Sequence, residues 1–319
     1  MKALVRHRYG GPDVLRLEEL EPPTLEDDRV LVRVRASSLN KVDLHALRGW
    51  PRLLRPLTGG GVLRPRTPLL GTDFAGVVEA VGADVTDLQP GDEVFGGRDG
   101  AFAEYVCAKS VARKPAGVSF EAAAGVPVAG LTALQGLRDH GRLEREQSVL
   151  INGASGGVGT LAVQIAKARG AHVTAVCSTR NVEQTLALGA DRVVDYTLED
   201  VTRGGERYDL VLDVAGGHSW FAWRRVLEPN GRLVVVGAHG SRRQLRHIAA
   251  LRLASLGSSR KVVIFMAKFG VADLEALAEL LASGQLRPVI DRTYPLADAS
   301  QAVRVFGEGH VGGKLVVTI

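Results

Sequence analysis

The apolar run Ser148-Val149-Leu150-Ile151-Asn152 leads straight into Gly153-Ala154-Ser155-Gly156-Gly157-Val158-Gly159. From Val158 onward Leu161, Ala162, Ile165 and Ala166 recur at helical spacing. A glycine-rich turn from strand to helix is suited to holding phosphate, because the helix start offers free N–H groups and the positive end of its dipole. Gly156 lets the backbone approach a pyrophosphate, and Gly159 lets helix and strand pack closely. Ala154 replaces the first glycine of the G-x-G-x-x-G pattern, and Ser155, Gly157 and Val158 complete the expected phosphate contacts. The next strand-like run, His172 to Val176, ends in Cys177-Ser178-Thr179-Arg180, with no carboxylate before Glu183. NAD enzymes place an acid about 20 residues past the loop to bind the ribose 2′-hydroxyl. Hydroxyls and a guanidinium suit a 2′-phosphate instead, so Ser178, Thr179 and Arg180 point to NADPH.

A second cluster is Asn40-Lys41-Val42-Asp43-Leu44-His45. His45 titrates near working pH and could protonate a carbonyl oxygen or an enolate. Asp43 could orient it or cap a helix. Asn40, Asp43 and His45 are therefore the catalytic candidates. Cys107 and Cys177 lie far apart in different contexts, which is neither a disulfide framework nor a metal cluster, and a reducing compartment fits them.

The elements that would position these groups change texture along the chain. Residues 1–120 read as short strands broken by glycine and proline, among them Leu4 to Arg6, Arg29 to Arg35, Ala75 to Val81 and Glu93 to Phe95. Residues 121–284 alternate apolar runs with helical patterns, the signal of a parallel sheet with both faces covered. Six strands are expected there: Ser148 to Asn152, His172 to Val176, Arg192 to Asp195, Tyr208 to Asp213, Arg232 to Val236 and Lys261 to Phe265. Leu274, Leu277, Ala278 and Leu281 mark a later helix. Residues 285–319 return to strand, helix and strand (Pro288 to Asp291, Ala299 to Phe306, Lys314 to Ile319) and are too few to hold a core of their own. The expected architecture is α/β: a doubly wound parallel sheet at 121–284, with a discontinuous β-rich domain built from 1–120 and 285–319.

Composition agrees with two globular domains in 319 residues: 45% hydrophobic and 24% charged residues exclude wholesale disorder. The net charge of +5 comes largely from arginine. It reads as a solvated surface, since no RNA-binding or helix-turn-helix pattern supports a nucleic-acid partner. The start Met1-Lys2-Ala3-Leu4-Val5-Arg6 goes directly into a strand pattern without a signal-like apolar core. No apolar run approaches the roughly 20 residues of a transmembrane span. A cytoplasmic location is the expectation.

The chain resembles the medium-chain dehydrogenase/reductase superfamily, and within it the zinc-free quinone oxidoreductase group. The resemblance rests on Gly71-Thr72-Asp73-Phe74-Ala75-Gly76, Pro90 to Gly96, Gly100 to Tyr105, Pro127 to Ala133, the phosphate loop, Leu188-Gly189-Ala190-Asp191 and Gly312-Gly313-Lys314. The stretches Ile151 to Tyr196 and Gly309 to Lys314 look especially like the NADPH-dependent quinone reductase homologues of organelles and their bacterial relatives. The resemblance implies a Rossmann domain, a GroES-like domain and an active site in the cleft between them. Where the zinc-dependent alcohol dehydrogenases of the superfamily place a ligating Cys, this chain has Asn40, and for their Gly-His-Glu it has Gly71-Thr72-Asp73. Their four-cysteine structural-zinc lobe is also missing, so no metal is expected.

Without a Lewis acid, alcohol oxidation becomes difficult, while reduction of an electron-poor quinone or α,β-unsaturated carbonyl remains feasible. By resemblance Asn40, Thr132, Ser178, Tyr196, Phe265 and Lys314 line the NADPH groove, joined by Gly237, Gly312 and Gly313. Tyr196 could cover the adenosine side and Phe265 could wall the nicotinamide pocket. The loop Trp50-Pro51-Arg52-Leu53-Leu54-Arg55-Pro56-Leu57 suggests a hydrophobic small-molecule acceptor. Arg242, Arg243, Arg246 and Arg252, interleaved with Leu245, Ile248 and Leu251, read as a solvated helix face, with a membrane surface as the lesser alternative. A homodimer through Lys261 to Phe265 is implied by the family. A zinc-free alcohol or carbonyl reductase, or an NADPH-bound sensor without turnover, are the alternative functions.

Overall fold

A computed structural model describes residues 1–50, 61–236, 249–309 and 311–319. The chain starts with β1 (Lys2–Arg6), β2 (Leu15–Glu19) and β3 (Val30–Ser38), then helix α1 (Lys41–Arg48). It continues through β4 (Asp73–Val81), β5 (Glu93–Gly97), β6 (Tyr105–Ala108) and β7 (Val111–Arg113) to α2 (Phe120–Ala124) and α3 (Pro127–Gln135). Next come β8 (Ser148–Asn152), α4 (Gly157–Ala168), β9 (His172–Cys177), α5 (Val182–Ala187), β10 (Arg192–Asp195) and β11 (Tyr208–Asp213). They are followed by α6 (Trp220–Val226), β12 (Leu227–Val236) and β13 (Lys261–Phe265). The described chain closes with α7 (Val271–Ala282), β14 (Ile290–Pro295), α8 (Ala299–Glu308) and β15 (Lys314–Thr318).

Two compact units form. The first comprises 1–128, 269–284 and 288–319, and the second 129–268 with 285–287. The expected boundaries at 120/121 and 284/285 therefore differ from these units at both ends. Residues 121–128 and 269–284 join the first unit, where α7 packs on β7 and α2 on β3 and β4. The helical pattern of α7 shows that it buries an apolar stripe, and says nothing about which sheet receives it.

The first unit is a mainly antiparallel sheet in the order β14-β15-β3-β4-β5-β7, with β6 paired to β3 and the hairpin-like pair β1-β2 beside it. Its core joins Val32, Val34, Phe74 and Val94 in one cluster, and Leu39, Leu47, Phe102, Leu315 and Val317 in another. Register places chemistry: β3 and β4 set Ser38 opposite Asp73, and β15 sets Val316 opposite Ser38. Three strands that are remote in sequence thus end at one place. The expectations missed β2, β6 and β7; Leu15–Glu19 is dominated by charge, and the other two span four and three residues, too few to show a period. The strand expected at Pro288 to Asp291 runs instead over Ile290–Pro295.

The second unit holds a six-stranded sheet in the order β10-β9-β8-β11-β12-β13, parallel throughout. Counted within the sheet this is 3-2-1-4-5-6, the doubly wound Rossmann order, whose direction reverses beside β8. All six expected strands are present, the fifth starting earlier, at Leu227. The segment expected as a crossover helix is α4, and Leu161, Ala162, Ile165 and Ala166 are buried in it. Among the described residues no helix is long and apolar enough to cross a membrane.

Candidate active site

The phosphate loop lies at the carboxyl end of β8, beside the point where strand order reverses. Gly153 has a left-handed φ of 88°, which only glycine takes without strain. A Cβ on Gly159 would strike the Gly153 carbonyl, so that residue allows the close helix–strand approach. Gly156 differs: a Cβ there would meet only the Gly153 carbonyl at 3.7 Å. The protein leaves that space open, so glycine is required there only when a ligand fills it. Ala154 is fully buried and its N–H donates to the Val176 carbonyl at 2.9 Å, which explains why a small side chain suffices. Ser155, Gly157 and Val158 continue from this turn into the first turn of α4, whose amides lie outside the helical hydrogen-bond ladder. The loop fits a dinucleotide pyrophosphate.

At the end of β9, Ser178 accepts a hydrogen bond from Asn181 Nδ2 at 3.1 Å, and Thr179 shares one with Thr197 at 3.1 Å. Arg180 is exposed and makes no hydrogen bond or ion pair among the described residues, so its guanidinium is available. Sequence reading missed Asp195, which ends β10 directly opposite Cys177. Hydrogen bonds from Thr179 and Thr197 hold its carboxyl below the usual range. That carboxylate lies beside the end of β9, where its charge would oppose a 2′-phosphate.

Tyr196 follows, 64% exposed and open to stacking. Phe265 is buried instead, with its ring centroid 4.2 Å from that of His140, so ordinary packing accounts for its position. Thr132 is buried in α3. Gly237 lies outside the described residues, as do Pro51 to Leu57, Arg242, Arg243, Leu245, Arg246 and Ile248. A further buried acid that the sequence did not signal, Asp213, ends β11. It accepts from Asn152 Nδ2 at 2.8 Å, from the Gly216 N–H at 2.7 Å and from the Trp223 indole at 3.2 Å, and burial raises its pKa. Only its hydrogen bonds, not its type, make it visible.

The other candidates meet in the first unit. Asn40 is the N-cap residue of α1, and its backbone N–H donates to Asp43 Oδ2 at 2.7 Å. Asp43 Oδ1 accepts from the Thr72 hydroxyl at 2.8 Å. Of the two roles expected for Asp43, the hydrogen bonds from the Asn40 N–H and the Thr72 hydroxyl show the helix cap and none to His45 is seen. Burial pushes the Asp43 carboxyl up to about 7, with the negative charge of Asp73 adding to the shift and the hydrogen bonds from Thr72 and Asn40 opposing it. His45 moves the other way: burial, then Lys41 and Arg48, lower its pKa and leave it a poor acid at neutral pH.

Behind Asn40 lies Lys314, only 2% exposed. Its ammonium donates to Asn40 Oδ1 at 2.6 Å, to the Leu39 carbonyl at 3.1 Å and to Asp73 Oδ2 at 3.3 Å. Asp73 Oδ2 also accepts from Asn40 Nδ2 at 2.8 Å and from Ser38 Oγ at 2.9 Å, while its Oδ1 accepts from the Val128 N–H at 2.8 Å. Burial lowers the Lys314 pKa, opposed by Asp73 and Asp43. Gly312 donates its N–H to Asp291 at 2.8 Å, and Gly313 has a φ of 119°, so both shape the turn into β15. The positions that resemble zinc ligands thus hold an amide, a hydroxyl and a carboxylate, and the lysine cation already engages two of them. That donor set does not fit zinc. No group of three His, Cys, Asp or Glu side chains poised for a metal occurs among the described residues.

These features can be compared with known proteins. Residues 188–317 match the zinc-binding dehydrogenase family and residues 26–116 the alcohol dehydrogenase GroES-like domain. The chain is 34% identical to the chloroplastic quinone-oxidoreductase QR1 of Triphysaria versicolor, over 99% of this chain and 98% of that protein. It is 33% identical to the chloroplastic NADPH-dependent alkenal/one oxidoreductase of Arabidopsis thaliana, over 99% of this chain and 79% of that protein. The solved structure of the quinone oxidoreductase from Coxiella burnetii superposes with a TM-score of 0.88 at 32% identity, covering 100% of this chain and 99% of that one. With a Rossmann sheet, a dinucleotide loop and a GroES-like unit in place, the chain is a nicotinamide-dependent oxidoreductase and belongs to the medium-chain dehydrogenase/reductase superfamily, in its quinone-oxidoreductase-like group.

Proposed function

We propose that this oxidoreductase uses NADPH to reduce a quinone or an α,β-unsaturated carbonyl compound, without zinc. The observation that carries the reading is the Lys314 ammonium bonded to Asn40 and Asp73, a fixed cation among the residues that would otherwise be metal ligands. With that donor set engaged, no Lewis acid polarises a saturated alcohol, and the acceptor must be electron-poor already. When bound, NADPH supplies the hydride. The loop from Ala154 to Gly159 would hold the pyrophosphate, Tyr196 would cover the adenosine side, and Arg180 with Ser178 and Thr179 would bind the 2′-phosphate. The one proton that the reduction needs besides the hydride comes from Asp43. Burial raises its carboxyl to about 7, so it holds a proton near neutral pH, and the Thr72 hydroxyl 2.8 Å away, which donates to the ionised carboxylate, would turn to accept that proton and pass its own to the substrate oxygen.

The test is NADPH oxidation, with NADH in parallel, against quinones, alkenals and saturated ketones, with zinc measured on the same preparation. Turnover of the first two classes by a zinc-free preparation is expected. Turnover confined to saturated ketones, or dependent on stoichiometric zinc, overturns the reading.

A further inference from the structure

Within the first unit, α1 and the segment before β4 border a partly open cavity of about 140 Å³, lined among others by Arg6, Asp43, His45, Trp50, Thr72 and Asp99. Arg6 is 6% exposed, and among the described residues its Nε and Nη1 have no hydrogen-bond partner. The Trp50 indole Nε1 is also buried and, among the described residues, unpartnered. A buried donor without an acceptor is costly to keep, and a guanidinium more so than an indole. The charge of Arg6 is nevertheless opposed: Asp99 and Asp43 face it, and its guanidinium lies 5.7 Å from the centre of the Tyr9 ring. Of the other titratable groups lining the cavity, His45 is held toward its neutral form and Arg66 is exposed to solvent. The site therefore lacks hydrogen-bond acceptors more than it lacks negative charge, which favours a neutral carbonyl oxygen over a carboxylate. Its volume is close to that of an engineered cavity of about 150 Å³ that takes up benzene.

We propose that this cavity is the acceptor's ring subsite: it takes a single-ring carbonyl compound, with Arg6 and Trp50 donating to the ring oxygen. The assignment rests on the reductase reading above and deepens it, replacing the expectation of a merely hydrophobic acceptor by one of defined size with an oxygen at its edge. Thr72, on the same wall, connects the subsite to Asp43. Negative charge developing on the ring oxygen during reduction would be stabilised by the Arg6 guanidinium until the proton arrives from Asp43.

Titration calorimetry on the full chain without cofactor tests the subsite with probes that are not reduced there: acetophenone, the two-ring 1-acetonaphthone, and benzoate. Acetophenone should bind, 1-acetonaphthone at least 10-fold more weakly, and benzoate no more tightly than acetophenone. Arg6→Met and Trp50→Phe should each weaken acetophenone about 10-fold, as loss of one or two hydrogen bonds requires. Arg6→Met should also raise the melting temperature, because it removes an unsatisfied buried donor; an arginine kept for structure would lower it. Acetophenone binding that is absent, or unchanged in both variants, overturns the proposal, and a benzoate preference of 10-fold or more replaces it with an anion site. Arg6-dependent probe binding without any NADPH-driven quinone turnover leaves the subsite standing and removes the reductase reading. Turnover whose KM ignores Arg6→Met does the reverse.

Discussion

Asp43, His45 and Lys314 are set by burial more than by their neighbours. Asp43 is 4% exposed, and burial is the largest contribution to its position at about 7. Because the folded chain holds this proton more tightly than the unfolded one, the stability contributed is full below about pH 4 and is lost as pH rises toward 7, at roughly 1.4 kcal/mol per unit. Urea melts of the wild type should therefore weaken by about 2–3 kcal/mol more between pH 5 and pH 8 than those of Asp43→Asn, by the same linkage. In the reaction the carboxyl is needed protonated. The wild-type kcat should fall above about pH 7, and in Asp43→Asn the rate should be low with that break gone. Arg180 carries a separate prediction at this scale. Alanine there removes charge-assisted bonds worth about 1.5–3 kcal/mol, so NADPH should bind about 10- to 100-fold more weakly while NADH is unaffected. An unchanged preference in fluorescence titrations with the two cofactors would remove the cofactor argument.

Elements decide which residues meet. The ammonium of Lys314 reaches Asn40 across 274 positions of sequence because β15 pairs with β3, and Asn40 starts the helix that follows β3. β4 supplies Asp73 opposite Ser38. Removing one member of a buried ion pair leaves an uncompensated charge, which costs about 3–5 kcal/mol. Lys314→Met should lower the urea-denaturation stability by that amount. Adding Asp73→Asn to it should recover part of the loss, since the carboxylate is then gone; equal losses in the single and double variants would show that the pair is not coupled. The phosphate loop shows the opposite situation. Its strand, turn and helix are contiguous, so Gly156 and Gly159 announce their roles before any tertiary contact is known.

At the scale of the whole molecule, β13 is an edge of the six-stranded sheet, paired among the described residues only with β12. An open edge invites pairing with a second copy. Multi-angle light scattering should give twice the 33.9 kDa chain mass, and a monomer at all protein concentrations would refute edge-to-edge assembly. The Rossmann sheet, the dinucleotide loop and the absence of a carboxylate at the end of β9 were legible in the residues alone, because periodicity and turn chemistry are local properties of a continuous segment. The family followed from motifs in their order along the chain. Other features stayed hidden: the cap formed by Asp43, the lysine cation among Asn40 and Asp73, the carboxylate of Asp195 beside the end of β9, and the two Arg6 nitrogens without a partner among the described residues. Sequence determined which groups the protein carries and how each segment folds. Only the tertiary structure decided which of them are buried together, and burial with its partners is what raises a carboxyl to about 7, lowers the pKa of a histidine and leaves two nitrogens of an arginine without a partner among the described residues.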